Sequence, residues 1–423
     1  MPARRARRPG PSAPPRGARA LSVVDTLTER AATVRPGKGS RIGLYVCGPT
    51  VYSAAHVGHA RTFLYFDVAR RFLEAEGFSV RHVMNVTDVE DKIDHRASLL
   101  GMSSRTLARA EERAFFRDLT SLGARLPHFR PRAGEYVPRM IEVGRALERT
   151  GRVRRNGDEW VYEPPDRPEG ENFPTGRELA AHVVPEPGHR FGGGNGRERA
   201  ILVWKLQEPP RPSWPSPWGR GVPGWHLECF AMASELLGVP VDLHGGARDL
   251  IYPHHYAENE IALALRGSRF SRVFLHTGFV LQGGTKMARS TGNLAPLRSA
   301  IRAAGAGTLR WYLLGRSFHD RLPWHDEELL RAKEAYGTVR GLFSDWVSPG
   351  AGGRVGAASA RRLLARTRSA LGHGLRFEAV IPELERLAEE LARSPSSHAP
   401  RGERREVREL LGEVERRTGL PLL

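Results

Sequence analysis

Three features of the 423-residue sequence predict an α/β protein built on a doubly wound parallel sheet. Short apolar runs alternate with helical patterns, as in "RIGLYVC" and in "FLYFDVARRFLEAEGF" followed by "SVRHVMNVTD", which is how buried parallel strands joined by covering helices read. The alternation pauses over a stretch rich in Pro, Gly and charge, about 117–205, and resumes from "GWHLEC" to "VFLHTGFVLQGG". Past about residue 298 apolar positions recur at spacing three and four, in "DEELLRAKEAYGTVRGLF" and "AVIPELERLAEELAR", so a helical region follows the sheet.

Taken in order, residues 1–20 hold six arginines and no acid among Pro and Gly, too little apolar surface to fold, and they are expected to be a disordered tail. The tail carries six of the net +18 charges and leaves +12 on the rest. Most of that charge is Arg, which suits a polyanionic partner without requiring one. Residues 21–297 form the sheet domain, of Rossmann type, interrupted by the 117–205 insertion, where "RNGDEWVYEPP" reads as a hairpin. Residues 298–423 form the helical region, with "SPGAGGRVGAAS" as a linker inside it. There are two cysteines, no CxxC pair, no secretory leader and no apolar run long enough for a membrane, so a reduced, cytoplasmic chain with no membrane partner is expected. It is expected to be monomeric.

Chemistry gathers in three places. In "PHHYAENE" the proline suits a first helical turn, which stacks His254 and Glu258 on one face at a metal-ligand spacing, although such a pair is also common on solvated helices. Cys47 ends the first strand and Cys229 lies one helix and one strand before His254. A lone cysteine is usually a small buried hydrophobe, but strand ends of a parallel sheet are where ligands collect, so these four residues could converge. "HVGH", His56 to His59, opens a helix whose N-terminus suits phosphate oxygens. "KMARS", Lys286 to Ser290, offers two cations on a loop for a leaving polyphosphate. No GxxxxGK[ST] motif is present, so an ordinary P-loop ATPase is not supported.

Together "YVCGPTVYSAAHVGHARTF", "NVTDVEDKI", "SWPSPWGRGVPGWHLEC", "DLHGGARDLIYPHH" and "KMARSTGN" closely resemble the cysteinyl-tRNA synthetases, class I aminoacyl-tRNA synthetases, over about residues 21–345. The resemblance implies one Zn2+ on Cys47, Cys229, His254 and Glu258, with Glu260 the substitute if the helix register differs. It implies a cysteine pocket at Cys47, Thr87, Trp225 and His244, where a zinc site favours a thiolate over serine's hydroxyl. ATP, with Mg2+, would meet His56, Gly58, His59, Asp249, Lys286 and Arg289, of which His56, His59, Lys286 and Arg289 would act in catalysis. Ala288 and Arg289 depart from the family's KMSKS, keeping the charge in another shape. The implied partners are L-cysteine, ATP and tRNA(Cys). A related cysteine ligase acting on a small amine, as in mycothiol synthesis, is the alternative; residues 298–423 are expected to be a stem-contact and tRNA-binding region, and the short span after "KMARS" leads us to expect reduced anticodon reading.

Overall fold

The computed structural model describes residues 18–37, 41–166, 200–288, 292–348, 356–393 and 401–423. At its centre lie four parallel strands, in spatial order Phe274–Thr277, Leu243–Ala247, Arg41–Val46 and Ser79–Met84. Arg41–Val46 is the expected "RIGLYV" run, and its register pairs Val46 with Met84 on one side and with Gly245 on the other. The chain moves outward from Arg41–Val46 in one direction and from Leu243–Ala247 in the other, so the strand order reverses between these two neighbours. Their carboxyl ends therefore flank the crevice where an open α/β sheet binds its ligands.

Helix Val57–Ala75 follows the first strand and is buried without a break from Ala60 to Arg70, because the sheet and the later helices cover opposite sides of it. Two buried ion clusters fasten it to the helical region. Asp67 meets the wholly buried Arg310 at 2.8 Å and Arg71 at 2.9 Å, while Arg310 also donates to the carbonyl of Thr418 at 2.7 Å. Glu76 receives Arg368 and Arg417. The helical region comprises Leu297–Ala304, Ala306–Leu314, Asp326–Val347, Gly356–Gly372, Ile381–Arg393 and Arg401–Thr418 among the described residues.

The predicted hairpin exists, as Val153–Asn156 against Glu159–Tyr162, and Ile201–Leu206 and Gly221–Pro223 extend it to a four-stranded antiparallel sheet. That sheet ends beyond residue 205, since Trp204 pairs with Pro223. The region 167–199 of the insertion, residues 1–17 of the basic tail and most of the Gly-rich linker lie outside the described residues. From Leu21 the chain is ordered as a hairpin, Leu21–Asp25 with Arg30–Val34.

The helix expected to start at Pro253 begins three residues later. Ile251–His255 forms a tight turn with Tyr252 extended (φ −133°, ψ 129°), and the helix proper is Tyr256–Arg266. The cause is local: the residue before a proline is sterically pushed out of the helical region, so Tyr252 bends the chain and His254 lands ahead of the helix. The hairpin Val280–Gln282 with Thr285–Lys286, joined on its other side to Leu322–Pro323, places Lys286 facing the same crevice.

Candidate active site and metal centre

Cys47 follows the first strand directly, Cys229 sits in the first turns of helix Trp225–Leu236, His254 in the bent turn, and Glu258 in the first turn of Tyr256–Arg266. All four are buried. Their donor atoms form a compact group: Cys47 Sγ to Cys229 Sγ 3.6 Å, Cys229 Sγ to His254 Nε2 3.3 Å, His254 Nε2 to Glu258 Oε1 3.0 Å, and Cys47 Sγ to Glu258 Oε1 3.8 Å. A tetrahedral zinc with its usual bond lengths separates neighbouring donors by about 3.3–3.8 Å, so the four fit that ion with small adjustment. Glu260, also buried, lies outside this group.

A second donor set, Cys47, His244, His255 and Glu258, overlaps the first. Its geometry is less even: His244 Nε2 is 2.8 Å from Glu258 Oε2 but 4.0 Å from Cys47 Sγ. It also offers one sulfur instead of two, and paired thiolates suit zinc. His244 and His255 are better placed as support. His244 fixes the second oxygen of Glu258 and meets the carbonyl of Tyr45 at 3.1 Å, and His255 joins Cys47 Sγ (3.3 Å) to His276 (2.7 Å), which reaches Thr26. His226 meets Nδ1 of His254 at 3.0 Å, and the Trp225 ring stacks on His254 at 4.2 Å, leaving Nε2 to face the donor group. Such outer partners fix the orientation of ligands.

The electrostatics match a cation site. Burial would push Cys229 up, yet the hydrogen bonds from Cys47 and His254 outweigh it and bring the thiol down to about 7. Burial would lower His254, but Glu258 and Cys229 raise it to about 10. Burial works against ionised Glu258 too, and His254, His244 and His255 overcome it, holding the carboxyl well below its usual range. His255 and His276 are held neutral, chiefly by burial and then by His244. Burial, and then Cys229 beside it, pushes the Glu228 carboxyl well above its usual range.

Cys47 and His254 form part of the wall of a cavity of about 590 Å³ that also reaches His56, Gly58, His59, Trp225, Asp249 and Lys286. The donor group and the "HVGH" and "KMARS" motifs thus meet at one chamber, of ordinary size for a small-molecule site. His56 caps helix Val57–Ala75 and stacks on His59 with ring centres 3.8 Å apart. A Cβ on Gly58 would come within 2.9 Å of the His56 ring, so only glycine leaves that ring in place. Lys286 pairs with Asp249 at 2.7 Å and lies over the Phe279 ring. Arg289 lies outside the described residues.

Two residues assigned to the cysteine pocket stand behind its wall. The Thr87 hydroxyl donates to Glu228 at 3.0 Å, and His244 sits beneath Glu258; neither lines the cavity. Sequence reasoning misses Glu228 and His255, and also Lys205, on strand Ile201–Leu206, and Gln207, just past that strand, both of which line the chamber. The doubled histidine in "PHHY" was a visible signal for His255; nothing in the pattern of the insertion marked Lys205.

The family model for the class I (C) tRNA synthetase catalytic domain matches residues 33–334. The cysteine--tRNA ligase of Thermococcus onnurineus is 38% identical over 320 residues, 74% of this chain and 66% of that protein. That of Aeropyrum pernix is 36% identical over 323 residues, covering 76% and 67%, and that of Syntrophobacter fumaroxidans 38% over 329 residues, covering 75% and 65%. The matches thus span about two thirds of these relatives' lengths. In fold the chain is similar to Mycobacterium tuberculosis methionyl-tRNA synthetase in complex with methionyl-adenylate (TM-score 0.59, 17% identity, 90% of each chain). It is also similar to the LeuRS of a ternary complex from Agrobacterium radiobacter K84 (TM-score 0.63, 12% identity, 91% of this chain and 84% of that one). With a reversed-order parallel sheet, a donor cluster at its switch point and this match over most of its length, the chain belongs to the family of class I (C) tRNA synthetase catalytic domains.

Proposed function

We propose that the chain activates L-cysteine with ATP, forming cysteinyl adenylate, and passes the cysteinyl group to the 3′ end of tRNA(Cys). One observation carries the reading: two cysteines, a histidine and a glutamate with zinc-like spacing form a group that reaches, through Cys47 and His254, the chamber that also holds "HVGH" and Lys286. Cys47, Cys229, His254 and Glu258 would hold a zinc ion there, and it would supply a Lewis acid that favours a thiolate over serine's hydroxyl. Four protein donors ordinarily close a zinc site, so the cysteine thiol needs a fifth position or movement of Glu258.

In the first step the cysteine carboxylate oxygen attacks the α-phosphorus of ATP in line, and the bond to pyrophosphate breaks. His56, His59 and the N-terminus of helix Val57–Ala75 hydrogen-bond phosphate oxygens, and Lys286 meets the charge that builds on the leaving pyrophosphate. Asp249 accepts from the ribose, and Lys286, 2.7 Å from its Oδ2 in the free chain, turns to the phosphates. In the second step a ribose hydroxyl at the 3′ end of tRNA attacks the adenylate carbonyl, and AMP departs. No side chain is a nucleophile; positioning and charge carry the rate. ATP enters with Mg2+, and Arg289 of "KMARS" adds a second cation for the phosphates.

The test is cysteine-dependent ATP–pyrophosphate exchange, followed by acylation with tRNA(Cys) or glucosaminyl-inositol as acceptor. Exchange with cysteine but not serine, and label on tRNA, is the expected result. Label on the amine alone would replace tRNA with a small acceptor, and no exchange would overturn the reading.

A further inference from the structure

Arg61, two residues after the "HVGH" motif, is wholly buried, and yet none of its hydrogen-bond acceptors is a carboxylate. One terminal nitrogen donates to the main-chain oxygens of Gly278 (3.1 Å), Phe279 (3.1 Å) and Asp320 (2.6 Å), and the other to that of Ser317 (2.8 Å). These carbonyls belong to two separate segments. Gly278 and Phe279 lead into Val280–Gln282, the first arm of the hairpin that carries Lys286, and residues 317–320 precede Leu322–Pro323, which pairs with that arm. The segments are pressed together: the amide of Gly278 donates to Phe318 at 2.7 Å, and a Cβ on Gly278 would lie 2.1 Å from the oxygen of Asp320. Thr62, the next residue on the helix, bonds Thr277 at 2.7 Å.

The electrostatics of this contact are unusual for a structural arginine. Three carbonyl oxygens gather at one guanidinium nitrogen and a fourth at the other, and they would repel each other without a cation between them. A buried guanidinium whose hydrogen bonds all go to main-chain oxygens is costly, and a well-packed apolar side chain would ordinarily stabilise the fold more. What the planar fork supplies, and a point charge or an apolar group does not, is simultaneous donation in fixed directions to both segments.

Resting on the reading above, we infer that Arg61 is a positioning residue: it cross-links the helix that presents His56 and His59 to the base of the hairpin that presents Lys286, and so sets the distance between the two groups that grip opposite ends of the triphosphate. It touches no substrate itself. A shift of about 1 Å between such groups costs about 100-fold in rate.

The experiment compares wild type with Arg61→Lys, which keeps the charge but loses the fork, and with Arg61→Gln, which keeps two donors without the charge. Amide hydrogen exchange is read on the whole chain, and pyrophosphate exchange on the same samples. The inference predicts amides in Val280–Ala288 and Ser317–Trp324 exchanging about tenfold faster in both variants, with the antiparallel sheet unchanged. It also predicts a fall of about 100-fold in the maximal exchange rate, with the KM for cysteine within about threefold of wild type. Faster amide exchange spread evenly over all elements would reduce Arg61 to a stability role and overturn the inference, as would an unchanged hairpin or an unchanged rate. If the wild type shows no cysteine-dependent exchange, the proposed function fails, while the local amide pattern still decides whether Arg61 braces the hairpin.

Discussion

Replacing Lys286 with alanine removes the described cation that faces both the ATP motifs and Asp249, and the structure bounds the effect from two sides. In the free chain the ammonium is held by Asp249 at 2.7 Å, with the two side chains 29% and 23% exposed. A pair this open to water contributes about 0.2–1 kcal/mol, which nucleotide binding must give up before Lys286 can reach the phosphates. In the transition state the same group faces developing charge inside the chamber, where loss of one such donor costs about 2.7–4 kcal/mol. The difference is about 1.7–3.8 kcal/mol, or about 20- to 600-fold in rate. The assay is cysteine-dependent pyrophosphate exchange at saturating ATP, beside a direct measurement of cysteine binding. Lys286→Ala lowers the maximal rate by that factor and leaves the dissociation constant for cysteine within about twofold, because Lys286 acts on the phosphates. Equal losses in rate and in cysteine binding would show that the hairpin only holds the pocket's shape and would refute the reasoning.

Other outcomes follow from the packing. Asp67→Asn leaves Arg310 buried without its counter-charge and lowers unfolding stability by about 3–5 kcal/mol, measured by urea denaturation. Burial opposes ionised Asp67, but Arg310 and Arg71 outweigh it and hold its pKa below the ordinary value. Its contribution is therefore complete above about pH 4 and is lost as pH falls through the folded-state pKa, so the stability difference between wild type and Asp67→Asn shrinks on acidification. Gly58→Ala drives a methyl group against the His56 ring; the expected result is an unchanged melting temperature and a KM for ATP raised about tenfold, and an unchanged KM would place His56 away from the nucleotide.

The parallel strands were legible because burial on both faces writes an uninterrupted apolar run, as in Arg41–Val46, and helix Val57–Ala75 because its helical pattern follows at once. The hairpin at Asn156–Glu159 was legible from "NGD", whose Gly157 and Asp158 form the two-residue loop, whereas the strands that complete that sheet follow a long irregular stretch. At the site, periodicity gave only the His254–Glu258 pair, and even there the proline shifted the helix start. Cys47 and Cys229 lie 182 residues apart, and only the topology of the sheet, or likeness to a known family, brings their sulfurs to 3.6 Å. The Lys286–Asp249 contact and the Arg61 clamp were invisible for a different reason: both depend on how a hairpin folds back over the sheet, and local sequence carries no trace of that.

The most direct test of the metal centre combines zinc analysis with X-ray absorption at the zinc edge, on wild type and on Cys229→Ser. The site described predicts one zinc per wild-type chain, with two sulfur ligands at about 2.3 Å and two nitrogen or oxygen ligands at about 2.0–2.2 Å. Cys229→Ser then loses the ion together with cysteine activation. A shell with a single sulfur, or zinc content unchanged in Cys229→Ser, would assign the metal to Cys47, His244, His255 and Glu258 and contradict the site.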